Sequence, residues 1–223
     1  MIESAGNDVI DLNQINAERT KEQRFYTKFI TGTETLLYSH PPLAVLPFEF
    51  FVWMLWSIKE SVYKFVQRYQ PNQVFSPSKI MITQIEPPVS SLLIAPELIV
   101  EALGLSNRNV YNSKIAFGAD VFYACTVITS GYIYTVANDQ NNFDNLYWGV
   151  KLISQNEPSF QSQEVRKFIM DKLASVLGKN SLSIVKNQFG CPVLYSDAQP
   201  TSQPISLAHH GHYVAYCFPQ SYI

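Results

Sequence analysis

Charge is scarce in this chain. Acidic and basic residues make up 15% of its 223 residues and nearly cancel, leaving a formal net charge of −2. Such a balance gives no electrostatic footprint for nucleic acid and no polybasic anchor for a membrane surface. Cysteine is scarce too. Cys125, Cys191 and Cys217 are an odd, widely spaced trio in apolar, strand-like surroundings, which favours buried free thiols over disulfides or a zinc site. Long apolar runs are missing as well: the most apolar one, FFVWMLW, is preceded by Pro47 and Glu49 and runs into Lys59, so it cannot span a bilayer. No signal-peptide pattern heads the sequence, and together these absences point to the cytoplasm. What is abundant is apolar and aromatic side chain, 47% and 13% of residues, enough for a real core in one large domain or two small ones.

Directly behind FFVWMLW comes WSIKESVYK, residues 56 to 64. A helix turning about 100° per residue sets Trp56, Glu60 and Lys64 on one stripe, a continuation of the stripe that the apolar residues make into core. A carboxylate and an ammonium are thereby carried toward an interior or a cleft, where an unpaired charge is expensive. The plainer reading is an i, i+4 pair on a solvated helix end, worth a few tenths of a kcal/mol.

Pattern reading along the chain begins with a strand over GNDVIDL, residues 6 to 12, bearing Asp8 and Asp11, and a polar helical stretch, INAERTKEQRFYTKF. A long helix fits Phe48 to about Arg68 and stops before Pro71. Strands follow over 79 to 85, within SKIAFGADVFYACTVIT, and over 131 to 139, while residues 90 to 112 carry no clear pattern. The polar segment NDQNNFDN, 138 to 145, is the candidate linker. After it the order repeats: a strand at 149 to 154, a helix at 162 to 178 ending at a glycine, then strands SLSIVKN, PVLYS, PISLA and HYVAYCF. The two half-chains, 1–140 and 141–223, share a plan, each a glycine-led strand, a helix and a closing strand after glycine. Where the first has Asp8 the second has Lys151.

Three patches, GNDVIDL, WSIKESVYK, and FGCPVLY with PISLAHHGHYVAY, together resemble the 4′-phosphopantetheinyl transferases. That family shows a G-x-D strand, a W-S-x-K-E-[AS]-x-x-K helix, and an x-G-x-P strand leading to an S-x-S-H turn. The helix signature is matched at Trp56, Ser57, Lys59, Glu60, Ser61 and Lys64, and RFYTKFITGTE, 24 to 34, looks like the segment that joins the aspartate to the glutamate helix. The resemblance implies an α+β fold of the 4′-phosphopantetheinyl transferase type, a pseudodimer of two similar α+β halves. Its half 1–140 would carry the metal carboxylates and its half 141–223 the histidine turn, the reverse of the order in surfactin-synthetase-type members. A trimeric synthase with a long insertion between residues 80 and 180 is the competing architecture.

What the resemblance implies for chemistry is magnesium-dependent transfer of 4′-phosphopantetheine from coenzyme A to a carrier-protein serine, as in fatty acid or polyketide synthesis, releasing adenosine 3′,5′-bisphosphate. Asp8 and Glu60 would hold Mg²⁺, which takes oxygen ligands and seldom more than two carboxylates. Lys64 would neutralise diphosphate charge beside the catalytic Glu60, with Lys59 a weaker candidate for the same ligand. His209, counted from Ser206 in the S-x-S-H pattern, would grip phosphate together with Ser206. Ala208 replaces the second serine of that pattern, and Cys191 stands where many relatives have lysine; Arg166 or Lys167 would compensate. Asp11, on the opposite strand parity from Asp8, would orient a base or cap the next helix. Arg19, Lys21, Arg24 and Lys28, against Glu22 alone, would receive an acidic acyl or peptidyl carrier protein. A non-catalytic module keeping the fold and binding a carrier protein or coenzyme A is the alternative function.

Overall fold

The computed structural model describes residues 4–90, 93–105, 109–178 and 181–220. In chain order, strand β1 (Gly6–Asp11) leads to three short helices, α1 (Ala17–Lys21), α2 (Gln23–Tyr26) and α3 (Gly32–Leu37), and then to the long helix α4 (Phe48–Val66). Strands β2 (Ile80–Glu86), β3 (Ile99–Leu103), β4 (Tyr111–Phe117), β5 (Asp120–Ile128), β6 (Tyr132–Asn138) and β7 (Leu146–Leu152) precede the second long helix, α5 (Pro158–Leu177). The chain closes with β8 (Leu182–Lys186), β9 (Pro192–Ser196), β10 (Gln199–Pro200), β11 (Ser206–His210) and β12 (Tyr213–Pro219).

The architecture is mixed α+β with three antiparallel sheets, ordered β1-β6-β5-β4-β2, β11-β12-β7-β3, and β10-β9-β8. Helix α4 packs on one face of the five-stranded sheet, burying Phe51, Leu55, Ile58 and Val62 against Ile10, Ile115 and Ile133. The opposite face meets the four-stranded sheet, with Val9, Tyr134 and Val136 against Trp148, Ala215 and Cys217. Helix α5 covers the far side of that sheet through Phe168, Ile169 and Leu173, against Val214 and Tyr216. Strands β6 and β12 are therefore covered on both faces and buried at every position.

The segments 1–140 and 141–223 share one feature of connectivity. β1 pairs with β6 in the first half and β7 with β12 in the second, and in each a long helix lies between the two in sequence. Each opening strand holds an ion pair with its own helix, but with the charges exchanged: Asp8 to Lys64 at 3.0 Å, Lys151 to Glu164 at 2.7 Å. Gly6 is required by packing, because a Cβ there would lie 2.0 Å from the Ser61 carbonyl oxygen on α4. The parallel stops there: β4 and β2 extend the first sheet through β5, whereas β10-β9-β8 stand apart from β11, and β3, from the patternless region, pairs across with β7 and so joins residues 99–103 to the sheet of the second half.

Several expected boundaries move for local reasons. The polar stretch after β1 is two short helices, because Glu22 is extended (φ −67°, ψ 124°) between them. Helix α5 begins at Pro158, whose missing N–H and fixed φ suit the first turn, and ends at Gly178 with φ +63°. The candidate linker is a tight loop tied by its asparagines. Asn138 donates to the Asn142 carbonyl (3.0 Å) and accepts from the Gln140 N–H (2.7 Å), while Phe143 is buried.

Candidate functional site

The site forms where β1 and β11, edge strands of two different sheets, run side by side. No backbone ladder joins them; side chains satisfy the edge instead. The Asn7 N–H donates to Ser206 Oγ (3.1 Å) and the Asp11 N–H to His210 Nδ1 (2.9 Å). The Asp11 carboxylate accepts from the backbone N–H groups of Asn13 (2.9 Å) and His212 (2.8 Å), closing the turn between β11 and β12. That use requires Gly211, whose Cβ would otherwise sit 2.4 Å from Asp11 Oδ2. Asp11 thus fastens the two halves together.

Asp8 points the other way, under α4. Its carboxylate is buried, and Lys64 Nζ lies 3.0 Å from Asp8 Oδ1 and 3.3 Å from Glu60 Oε1. Both carboxylates therefore close on one cationic centre, Asp8 from the strand floor and Glu60 from the helix rim. Burial raises the Asp8 carboxyl to about 7; Lys64 opposes that shift and Glu60 adds to it. Burial pulls the Lys64 ammonium down, but the two carboxylates outweigh it and leave its pKa raised. Asp8 Oδ2 is buried beside Ser57 Oγ, and the Ser57 hydroxyl, as a hydrogen-bond donor, weakly opposes the rise of the Asp8 carboxyl. Among the described residues no three His, Cys, Asp or Glu side chains gather around a common point. Mg²⁺ needs only one or two carboxylates, and this donor set, two acids converging on one point, fits it.

Beyond Lys64 opens a cleft of about 200 Å³ between the halves. Its walls carry Lys64 and Arg68 from α4, Arg166 from α5, Lys186 at the end of β8, and His209 from β11, and no carboxylate is among the described lining residues. Partial burial, then Lys64, Lys186 and Arg166, hold the His209 pKa below its ordinary 6.5, so its ring is neutral at pH 7 and offers an N–H to a ligand rather than a charge. Arg68 is fixed by donating to the Ile205 carbonyl. Arg166 donates to the Ser162 carbonyl (2.8 Å) and hydroxyl. A concave surface with four cationic side chains is a polyanion site in its chemistry.

The structure brings Asp8, Glu60, Lys64, Ser206 and His209 of the expected site residues to one region. It takes Lys59 elsewhere. That ammonium is fully buried, 2.7 Å from Glu34 Oε1, and donates to the Pro77 carbonyl (2.9 Å), while Glu34 also accepts from the N–H groups of Thr31 and Ile82. Lys167 is exposed outside the cleft and its neighbour Arg166 lies within it. Ala208 packs between the sheets and not on the cleft, whereas Cys191 is in the cleft wall. In the basic segment, Lys21 pairs with Glu18 (3.3 Å) and Arg24 with Glu22 (2.7 Å), while Arg19 and Lys28 have no carboxylate partner among the described ion pairs.

Arg68 and Lys186 went unread in the sequence. Arg68 had a signal, since it extends the Trp56, Glu60, Lys64 stripe by one more step of four. Lys186 had none, because only the packing of β8 beside α5 brings it to the cleft. No family model, curated protein or solved structure matches this chain.

Proposed function

We propose that this protein transfers 4′-phosphopantetheine from coenzyme A to a serine of an acyl or peptidyl carrier protein, with Mg²⁺ held by Asp8 and Glu60. The reading is carried by one observation: a pair of converging carboxylates opens directly into a cleft lined by Lys64, Arg68, Arg166 and Lys186. A diphosphate ester asks for that juxtaposition, acids for a divalent cation on one side and fixed cations for phosphate oxygens on the other. The bound ion supplies Lewis-acid stabilisation of charge growing on the phosphate oxygens.

The chain's own residues do the positioning. Arg68 and Arg166, already oriented by backbone carbonyls, hold phosphate without first having to be ordered. His209, neutral, donates a hydrogen bond to a phosphate oxygen. Glu60, 29% exposed at the rim, takes the proton that the serine hydroxyl gives up as its oxygen attacks. The exposed basic segment around Arg19 and Lys28 meets the acidic surface of the carrier. In the transfer, the serine oxygen bonds to the phosphorus nearest the pantetheine arm. The bond from that phosphorus to the bridging oxygen breaks, and adenosine 3′,5′-bisphosphate leaves.

The non-catalytic reading draws on Cys191, a thiol in the cleft wall where the resembling family commonly has lysine. One assay separates the two. Incubation with apo acyl carrier protein, coenzyme A and Mg²⁺ should add the mass of one phosphopantetheine to the carrier. Coenzyme A binding with no mass gain on any apo carrier tested would reject the transferase reading and leave a binding module.

A further inference from the structure

Lys64 belongs at once to the two carboxylates and to the cleft. Its Nζ sits within 3.0 Å of Asp8 and 3.3 Å of Glu60, yet its side chain is 24% exposed and forms part of the cation-lined wall. An ammonium and a divalent cation cannot share the same two oxygens, since like charges at such separations repel strongly where water is scarce. The four-carbon stem lets the head group move while the backbone of α4 stays fixed by its packing on β1 and β6.

We propose that Lys64 is an internal counter-ion that occupies the place of the divalent cation in the resting protein and is handed over to the bound polyanion when the metal enters. The hand-over deepens the reading of this site given above and rests on it for the identity of the metal.

Its direction follows from what lies on each side. Toward β1, Lys64 neutralises a buried carboxylate; without it, Asp8 would lose its hydrogen-bonded cation. Toward the cleft, Lys64 would approach Arg68, Arg166 and Lys186, a costly position unless an anion is present. Metal alone therefore has to expel Lys64 into a field of like charge, and anion alone finds Lys64 already engaged. Each ligand relieves the obstacle to the other, which makes their binding positively coupled through one side chain.

The test uses the full chain and two probes, Mn²⁺ followed by electron paramagnetic resonance and inorganic pyrophosphate followed by calorimetry in the presence of a chelator. Lys64→Met removes the competing charge and keeps the stem. In the absence of anion it should bind Mn²⁺ at least about five-fold more tightly than wild type, the low end of ordinary coupling factors. Metal-free pyrophosphate affinity should fall by less than about ten-fold, because Lys64 lines the cleft but its resting head group is engaged by the carboxylates. Glu60→Gln should weaken Mn²⁺ binding in either background. Equal or weaker Mn²⁺ binding by Lys64→Met overturns the proposal, as does a loss of metal-free pyrophosphate binding of ten-fold or more. Should Lys64→Met fold poorly, Lys64→Gln gives the same comparison. Neither probe involves transfer, so tighter Mn²⁺ binding by the variant of a protein that modifies no carrier keeps the hand-over and rejects the transferase, and the reverse pair of results does the opposite.

Discussion

Asp8 on β1 and Lys64 on α4 meet at 3.0 Å although 56 residues separate them in the chain. The contact ties the first strand of the molecule to the most apolar helix and brings Glu60 to the same point.

The pairing has a pH signature. Between its ordinary 3.8 and about 7 the Asp8 carboxyl holds a proton in the folded protein and not in the unfolded chain. Stability from this group is therefore greatest below that window and falls as pH rises through it. His209 and His210, both lowered, act in the opposite sense, losing stability as pH falls below 6.5. Comparison with Asp8→Asn isolates the carboxyl. The variant's melting temperature relative to wild type should be more favourable at pH 8 than at pH 5. A relative gain by wild type as pH rises would mean the carboxyl is depressed instead.

The fully buried Glu34–Lys59 pair is a structural clamp. Lys59→Ala or Glu34→Ala leaves an unpaired charge in the core and should cost about 3–5 kcal/mol in urea denaturation. Glu34→Met with Lys59→Met should recover only part of that loss, since it removes the unpaired charge but leaves the Thr31 and Ile82 N–H groups without their acceptor. Coenzyme A affinity of the folded double variant should stay at the wild-type value, as neither residue lines the cleft.

Gly6→Ala places a methyl 2.0 Å from the Ser61 carbonyl oxygen and 2.7 Å from the Phe65 nitrogen, both backbone atoms that cannot step aside. We expect about 3 kcal/mol of destabilisation, together with weaker Mn²⁺ binding as β1 and Asp8 shift away from α4. Gly32→Ala, with open space around its Cβ position, should be neutral or gain about 0.5 kcal/mol. Thermal melts and Mn²⁺ titration of the two variants measure the difference.

Charge reversal on the basic segment should not act evenly. Arg19→Glu with Lys28→Glu removes the two cations without a carboxylate partner and should slow reaction with a carrier protein more than Lys21→Glu with Arg24→Glu. Rates should converge at high salt, because screening removes steering. Coenzyme A affinity should be unchanged in both, and an equal loss of both quantities would place the segment elsewhere in the mechanism.

Local elements were largely legible from residue order. The 3.6-residue period over Phe48–Val66, the alternation in the terminal strands and the glycine stop at 178 are short-range patterns that need no partner to be seen. Strand β3 was not, because the run LIVEAL is apolar except at Glu101 and lacks the two-residue alternation that marks a strand, and its pairing with β7 is long-range. The site was half legible. Glu60 and Lys64 follow from helical spacing, which also turns Lys59 about 140° away from Lys64; what it does not show is that Glu34, 25 residues upstream, waits at the end of Lys59.

By itself the sequence determined the helices, most strands, the buried thiols and the stripe on which Glu60, Lys64 and Arg68 lie, since each is a matter of periodicity or composition over a few turns. Tertiary structure alone decided that β1 and β11 run edge to edge. From that juxtaposition follows the arrival of Arg166, Lys186 and His209 opposite Lys64 around one cleft, while the packing of α4 on β1 decides that Asp8 and Glu60 meet at Lys64 and that the Asp8 carboxyl is buried and lifted. Such convergence depends on how two sheets share a core, and no local repeat encodes the angle and register at which they do so.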